Sequence, residues 1–192
     1  IAKSGYSSQL GFEIYLNNSK LGEKLWDTIC SFGKKYNLRP GAPNLIDRIE
    51  AGLLSFGNDM TSENSPLECG FEKYCALSSD IDFIGKAKLK SEKNIGPKLK
   101  LCGIAFGGEA QSACTIPWPI YFNNLKIGEI TSGIYNPSLK VNTGIALVMT
   151  ENLDKFSTVK VKALNSKITE GVICSLPFTI SKNYELINQI RY

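Results

Sequence analysis

Leu99-Lys100-Leu101-Cys102-Gly103-Ile104-Ala105-Phe106 decides the fold. The run follows Gly96-Pro97, is almost wholly apolar, and is too short for a buried helix, so it reads as a strand. Five further short, β-rich runs follow, at 119–122, 125–131, 144–149, 158–164 and 172–178. Asn123-Asn124 suits a tight hairpin turn and Asn165-Ser166 suits another. Six strands at near-regular spacing, with no helical period between them, imply a compact antiparallel barrel or sandwich free of long helices.

Upstream of residues 94–98 the character differs. Leu10-Gly11-Phe12-Glu13-Ile14-Tyr15-Leu16, bounded by Asn17-Asn18, reads as one strand. Over 20–36 the period changes to three and four: Leu21, Leu25, Ile29, Phe32 and Tyr36 alternate with charged residues, which predicts an amphipathic helix. Pro40, Gly41 and Pro43 mark a loop over 38–43. A second helix is expected from about Asn44, with Leu45, Ile46, Ile49 and Leu53 on one face and Gly57-Asn58-Asp59 as its stop. A third is expected over 84–93, and the tail 183–190 carries a weak helical signal. The boundary between the two regions falls at 94–98.

The 192 residues suffice for one domain or two small ones, and there is no histidine. Within this chain that excludes Ser-His-Asp and Cys-His nucleophiles, His-ligated zinc and an imidazole base. The net charge of +4 lies in the second half: residues 1–96 hold 12 basic and 12 acidic groups, and 97–192 hold 10 and 6. Those lysines are scattered, which suits a solvated face better than a nucleic-acid surface. Six cysteines without a C-x-x-C pair, several in apolar runs, read as buried reduced thiols of a cytoplasmic protein. No apolar stretch is long enough to cross a bilayer, and the Ile-Ala-Lys start has no leader character, so a soluble piece of something longer is expected.

Two positions carry candidate chemistry. Strand alternation over 10–16 places Glu13 and Tyr15 on one face and Phe12 and Ile14 on the other. A carboxylate beside phenols can accept two parallel hydrogen bonds from an amidine-like heterocycle edge, although ordinary half-buried alternation gives the same pattern. Arg48 is one of three arginines against nineteen lysines and sits beside the apolar face of its helix. A planar donor fork there meets a carboxylate or a ligand, or else a surface partner. Gly57-Asn58-Asp59 and Glu68-Cys69-Gly70 lack metal-ligand spacing, and Gly107-Gly108 opens no helix and precedes no lysine, so neither a metal site nor a phosphate loop is expected.

Together these residues resemble the folate-dependent aminomethyltransferase family, the T-protein of the glycine cleavage system and its relatives. Residues 4–14 match its Thr-Gly-Tyr-Thr-Gly-Glu-x-Gly-Phe-Glu-Ile strand. Arg48-Ile49-Glu50-Ala51-Gly52-Leu53 and Phe56-Gly57-Asn58-Asp59 match its Arg-Leu-Glu-Ala-Gly-Leu and Tyr-Gly-Asn-Asp elements, with Phe56 in place of the tyrosine. Residues 66–70, 82–86 and 132–139 match its Pro-x-Glu-x-Gly, Asp-Phe-Ile-Gly-Lys and Ser-Gly-x-x-x-Pro-Ser-Leu patterns. Lys73, where T-proteins commonly have tryptophan, and the run 40–50 favour the branch that demethylates dimethylsulfoniopropionate.

The resemblance implies an α+β fold. Residues 1–95 would be the C-terminal part of the folate-binding domain, a partial α/β layer, and 96–192 a small antiparallel β-barrel. It implies tetrahydrofolate as cofactor, with Glu13 on the pterin edge and Tyr6, Tyr15 and Arg48 completing the site on one concave surface. No catalytic residue and no metal ligand is assigned in this chain. The donor would be a small sulfonium or methylamine-type molecule, or the loaded carrier of the glycine-cleavage reaction; a non-catalytic folate-binding module is the third alternative. The expected partner is an N-terminal half of the same protein, without which these residues would be inactive; neither nucleic acid nor membrane is expected as a partner.

Overall fold

The computed structural model describes residues 1–42, 44–151, 153, 158–164, 167–178 and 181–190. By compactness the chain divides into residues 1–44 and 45–192. In the first, helix α1 (Gly22–Gly33) is flanked by 3₁₀ turns at Ser19–Leu21 and Lys34–Tyr36. The Asn18 side chain caps the entry by accepting from the Lys20 N–H, and Asn37, left-handed at φ 59°, ends the exit. The helix expected over 20–36 is thus present.

The strand expected over 10–16 is not. Glu13 makes one isolated antiparallel bridge, with Ala2, and the rest of the run is irregular. A β-ladder needs a continuous neighbour to take its N–H and C=O groups, and the described residues of this unit offer a single pairing position. The expected alternation fails with it: Phe12 is as exposed as Tyr15, at 70% each.

The second unit begins with α2 (Leu45–Ala51) and continues to α3 (Lys86–Ile95). Helix α2 stops well before Gly57, where the sequence had suggested its end. Gly52 takes φ +70°, its N–H bonds the Ile49 carbonyl, and the Leu53 N–H bonds the Arg48 carbonyl, a Schellman closure that glycine makes at no steric cost. The barrel follows as β1 (Leu99–Phe106), β2 (Trp118–Phe122), β3 (Leu125–Asn136), β4 (Val141–Met149), β5 (Thr158–Val161) and β6 (Thr169–Cys174). All pairings are antiparallel, and the sheet closes in the order β1-β4-β3-β2-β5-β6.

Six strands and the absence of any long helix among the described residues of the barrel agree with the sequence reading. Strand lengths differ. β3 runs on to Asn136, because β4 begins at Val141 and gives it partners that far. β6 ends at Cys174, and the Phe178 N–H goes instead to the Glu50 carbonyl of α2, at 2.8 Å. Asn123 and Asn124 hold φ 47° and 66°, the paired positive values of a two-residue hairpin turn. Asn165-Ser166 and Pro43 lie outside the described residues. The tail forms helix α4 (Ser181–Asn188).

Alternation along the strands builds two apolar layers. Ile104, Phe106, Trp118, Ile120, Ile130 and Val148 fill one buried cluster, with the Phe106 and Trp118 rings edge to face at 5.8 Å. Ala105, Ile145, Val172 and Phe178 form the other, closed by Ile49 of α2 and Ile187 of α4. The chain is α+β, with its core in and around the barrel.

Packing within the barrel sets the first prediction. A methyl on Gly128 would lie 2.3 Å from the Leu147 carbonyl oxygen and 2.9 Å from the Val148 Cα, both backbone atoms that cannot rotate away. Gly128→Ala is expected to destabilise the protein by about 2 kcal/mol or more, seen as a lower urea midpoint. An unchanged midpoint would show that β3 and β4 separate freely at this point.

Candidate functional site

Glu13, Tyr6 and Tyr15 belong to residues 1–44, and Arg48 to the second unit. Around Glu13 the geometry is local and specific. Its backbone N–H and carbonyl exchange 2.9 Å hydrogen bonds with Ala2, and the Ser4 hydroxyl donates to its Oε2. These contacts close the loop that carries Tyr6, and Ser8 in that loop is left-handed at φ 62°. Glu13 is exposed, as are Tyr15 at 70% and Tyr6 at 43%. A carboxylate held on one side by a hydroxyl keeps lone pairs on both oxygens for outside donors. Such a pair of acceptors suits a flat heterocycle edge presenting two parallel N–H groups.

Arg48 is 6% exposed, and the carboxylate foreseen as one possible partner is Asp59. Its Nη1 donates to Asp59 Oδ2 at 2.7 Å and to the Leu53 carbonyl at 2.8 Å, and its Nη2 to Ser132 Oγ at 2.6 Å. The Ser55 N–H fills Asp59 Oδ2 further, while Thr131 and Ser132 hydroxyls donate to Oδ1 at 2.7 and 2.5 Å. Asn58 adds a 2.6 Å bond to the Ser132 hydroxyl. Consecutive strand residues ordinarily face opposite ways. The register of β3 against β4 slips between Ile130 and Ser132, so a bulge at Thr131 lets both hydroxyls reach one carboxylate.

Sequence reasoning missed Asp59, which it explained as turn chemistry, and Ser4. An acid eleven positions after Arg48 carries no periodic signal, and Ser4 meets Glu13 only because the chain doubles back at Ala2. Phe56, just before the Gly-Asn-Asp turn, is 73% exposed and offers a ring face without a hydroxyl.

No group of three or more metal-ligating side chains occurs among the described residues. All six cysteines are free thiols. Burial pushes Cys102 and Cys174 up to about 12 and Cys114 up to about 11, and raises Cys69, where the Glu68 charge adds to it. Thiols so held stay protonated at neutral pH and are poor nucleophiles.

Two predictions follow from this geometry. Removing one partner of a fully desolvated pair strands the other, so Asp59→Ala is expected to cost about 3–5 kcal/mol in urea unfolding. Replacing the pair together, Arg48→Met with Asp59→Leu, should lose less than either single change. A loss under about 1 kcal/mol for Asp59→Ala would mean that water already reaches the pair. The raised thiols make stability depend on pH at the alkaline end. The native chain keeps protons that the unfolded chain releases from about pH 9, so their contribution is full below pH 9 and declines as pH rises towards 12. Urea midpoints between about pH 8 and pH 10.5 should fall less steeply in Cys102→Ala than in the parent chain; parallel slopes would sink the assignment.

Comparison with known proteins gives the arrangement its context. Residues 1–79 match the GCVT N-terminal domain model, and residues 100–179 match the glycine cleavage T-protein C-terminal barrel domain. The dimethylsulfoniopropionate demethylase of Ruegeria pomeroyi is 43% identical over 148 residues, covering 77% of this chain and 40% of that protein. An aminomethyltransferase of a Thermoanaerobacter species is 34% identical over 190 residues, covering 96% of this chain and 49% of that protein. The chain thus spans about half the length, or less, of these relatives. The crystal structure of aminomethyltransferase T from Bartonella henselae shares the fold, with a TM-score of 0.53 at 22% identity over 70% of this chain and 37% of that one. Two consecutive domain matches in the family order, with relatives above 30% identity, place the chain in the family of the glycine cleavage T-protein.

Proposed function

We propose that the chain is part of a tetrahydrofolate-dependent methyltransferase that takes a methyl group from dimethylsulfoniopropionate. The observation carrying this reading is the 43% identity to a demethylase of that substrate, which exceeds the 34% to an aminomethyltransferase. In this reading Glu13 accepts from the pterin edge and Tyr6 and Tyr15 flank the ring, while Arg48, the fourth residue that the resemblance implied, has its guanidinium engaged by Asp59, the Leu53 carbonyl and Ser132 within the second unit. Bound, tetrahydrofolate supplies N5 as the acceptor of the one-carbon group. The chain's own residues orient and hold. A sulfonium leaves as a neutral thioether, so the donor asks no proton of them, and the work is alignment. The partner in this reading is the N-terminal half that the longer relatives carry. Residues 1–95 then complete the folate-binding domain and 96–192 form the barrel domain, in the cytoplasm. No helix among the described residues is long and apolar enough to cross a membrane.

The second reading, transfer of an aminomethyl group from a protein carrier, is favoured by the longer matched span of the aminomethyltransferases, 96% of the chain against 77%. Incubating the intact gene product with tetrahydrofolate and either donor separates them. Formation of 5-methyltetrahydrofolate from the sulfonium is expected. Product only from the loaded carrier would establish the second reading, and folate binding without product from either a non-catalytic module. In the same protein Glu13→Gln sets a donor against the pterin's donors and is expected to weaken tetrahydrofolate binding by roughly 30-fold or more. Equal affinities would make Glu13 an ordinary surface carboxylate.

A further inference from the structure

We infer that Ser4 is a positioning residue for Glu13, an inference that rests on the folate-binding reading above. An exposed glutamate ordinarily samples several rotamers about three side-chain torsions, and a bidentate contact with a planar ligand edge uses one of them. Here two independent constraints act on Glu13. Its backbone is tied to Ala2 in both directions at 2.9 Å, which fixes where the side chain starts. The Ser4 hydroxyl, two residues beyond Ala2, donates to Oε2, which fixes where it ends. Gly11 shapes the same loop from its other limb: its Cβ position lies 3.9 Å from the Ser4 carbonyl oxygen, ordinary contact that leaves the limbs close.

The hydroxyl is suited to this task. It supplies one donor and no charge, so it engages the carboxylate without neutralising it, and each carboxylate oxygen has a second lone pair for the ligand. A lysine or arginine in its place would compete with the ligand's N–H donors for the same oxygens. Ser4 therefore lowers the ordering cost that Glu13 would otherwise meet on binding. The contact that the structure gives its hydroxyl is with Glu13, and its inferred effect runs through that residue.

A double-mutant cycle on the intact gene product tests this, with tetrahydrofolate titrated by calorimetry and thermal midpoints recorded for every variant. Ser4→Ala is expected to weaken binding about 5- to 10-fold with an unchanged midpoint, and Ser4→Thr, which keeps the hydroxyl, to restore it. In a Glu13→Gln background Ser4→Ala should have no further effect. Full independent losses from the two changes would overturn the inference, as would failure of Ser4→Thr to rescue or parent affinity in Ser4→Ala. If Glu13→Gln itself binds as tightly as the parent protein, the folate reading fails instead, so the two failures are distinguishable.

Discussion

The buried pair of Arg48 and Asp59 is the interaction on which the second unit depends. Both side chains are almost fully removed from water, at 7% and 0% exposure, and charges so placed are tolerated only when their hydrogen-bonding capacity is met. Asp59 meets it with four donors drawn from three segments: helix α2, the turn at 55–59 and the bulged middle of β3. The pair thereby dictates where α2 lies on the barrel. Asn136 repeats the attachment by donating to Glu50, and the Phe178 N–H reaches the Glu50 carbonyl from the segment after β6. Ile49, between these anchors, is then pressed into the outer apolar layer with no exposure at all.

This dependence explains which parts of the structure were legible in the sequence. The barrel strands were, because they are short, β-rich apolar runs at near-regular spacing, and the Asn123-Asn124 turn has its own chemistry. Helix α1 was, because its apolar spacing is periodic. The segment at 10–16 has strand-forming residues without a strand, since propensity supplies conformation and a ladder still needs a neighbour. The early stop of α2 turns on Gly52, one glycine among seventeen. The bulge at Thr131 is a register effect between two strands, invisible in either alone. As candidates, Glu13 and Tyr15 came from the residues of the run at 10–16 and Tyr6 from the resemblance. Ser4 and Asp59, which hold Glu13 and Arg48, were not legible, because long-range side-chain partners leave no local pattern.

The two units differ in how they treat apolar surface. The second buries two layers, while in the first Gly33 is the one fully buried residue among those described, and Trp26, Phe32 and Tyr36 stand 56–75% exposed. A segment of this size cannot enclose a core of its own. Local devices act within it: the Asn18 cap and the Ala2–Glu13 bridge shape the backbone, and the Ser4 hydroxyl engages the Glu13 carboxylate. Those same devices present Glu13 to solvent in a fixed direction. The residue proposed to read the pterin edge thus stands in the unit with the fewer buried residues among those described, where its direction is set by local hydrogen bonds.

That placement bears on the chemistry the chain can contribute. It has no histidine, and the thiols of Cys69, Cys102, Cys114 and Cys174 are held protonated by burial. In the proposed reading its contribution is orientation and hydrogen bonding, without proton transfer from these thiols. In the proposed reaction that is sufficient. The sulfonium carries its own leaving group, and the barrier is governed by how well donor and acceptor are aligned, a quantity that fixed acceptors such as Glu13 control directly. An aminomethyl donor would add the release of an amine, a step whose proton would have to be carried by groups other than a histidine of this chain or these thiols. In the proposed reading Glu13 is thus asked for a hydrogen-bonding direction, and these thiols for nothing.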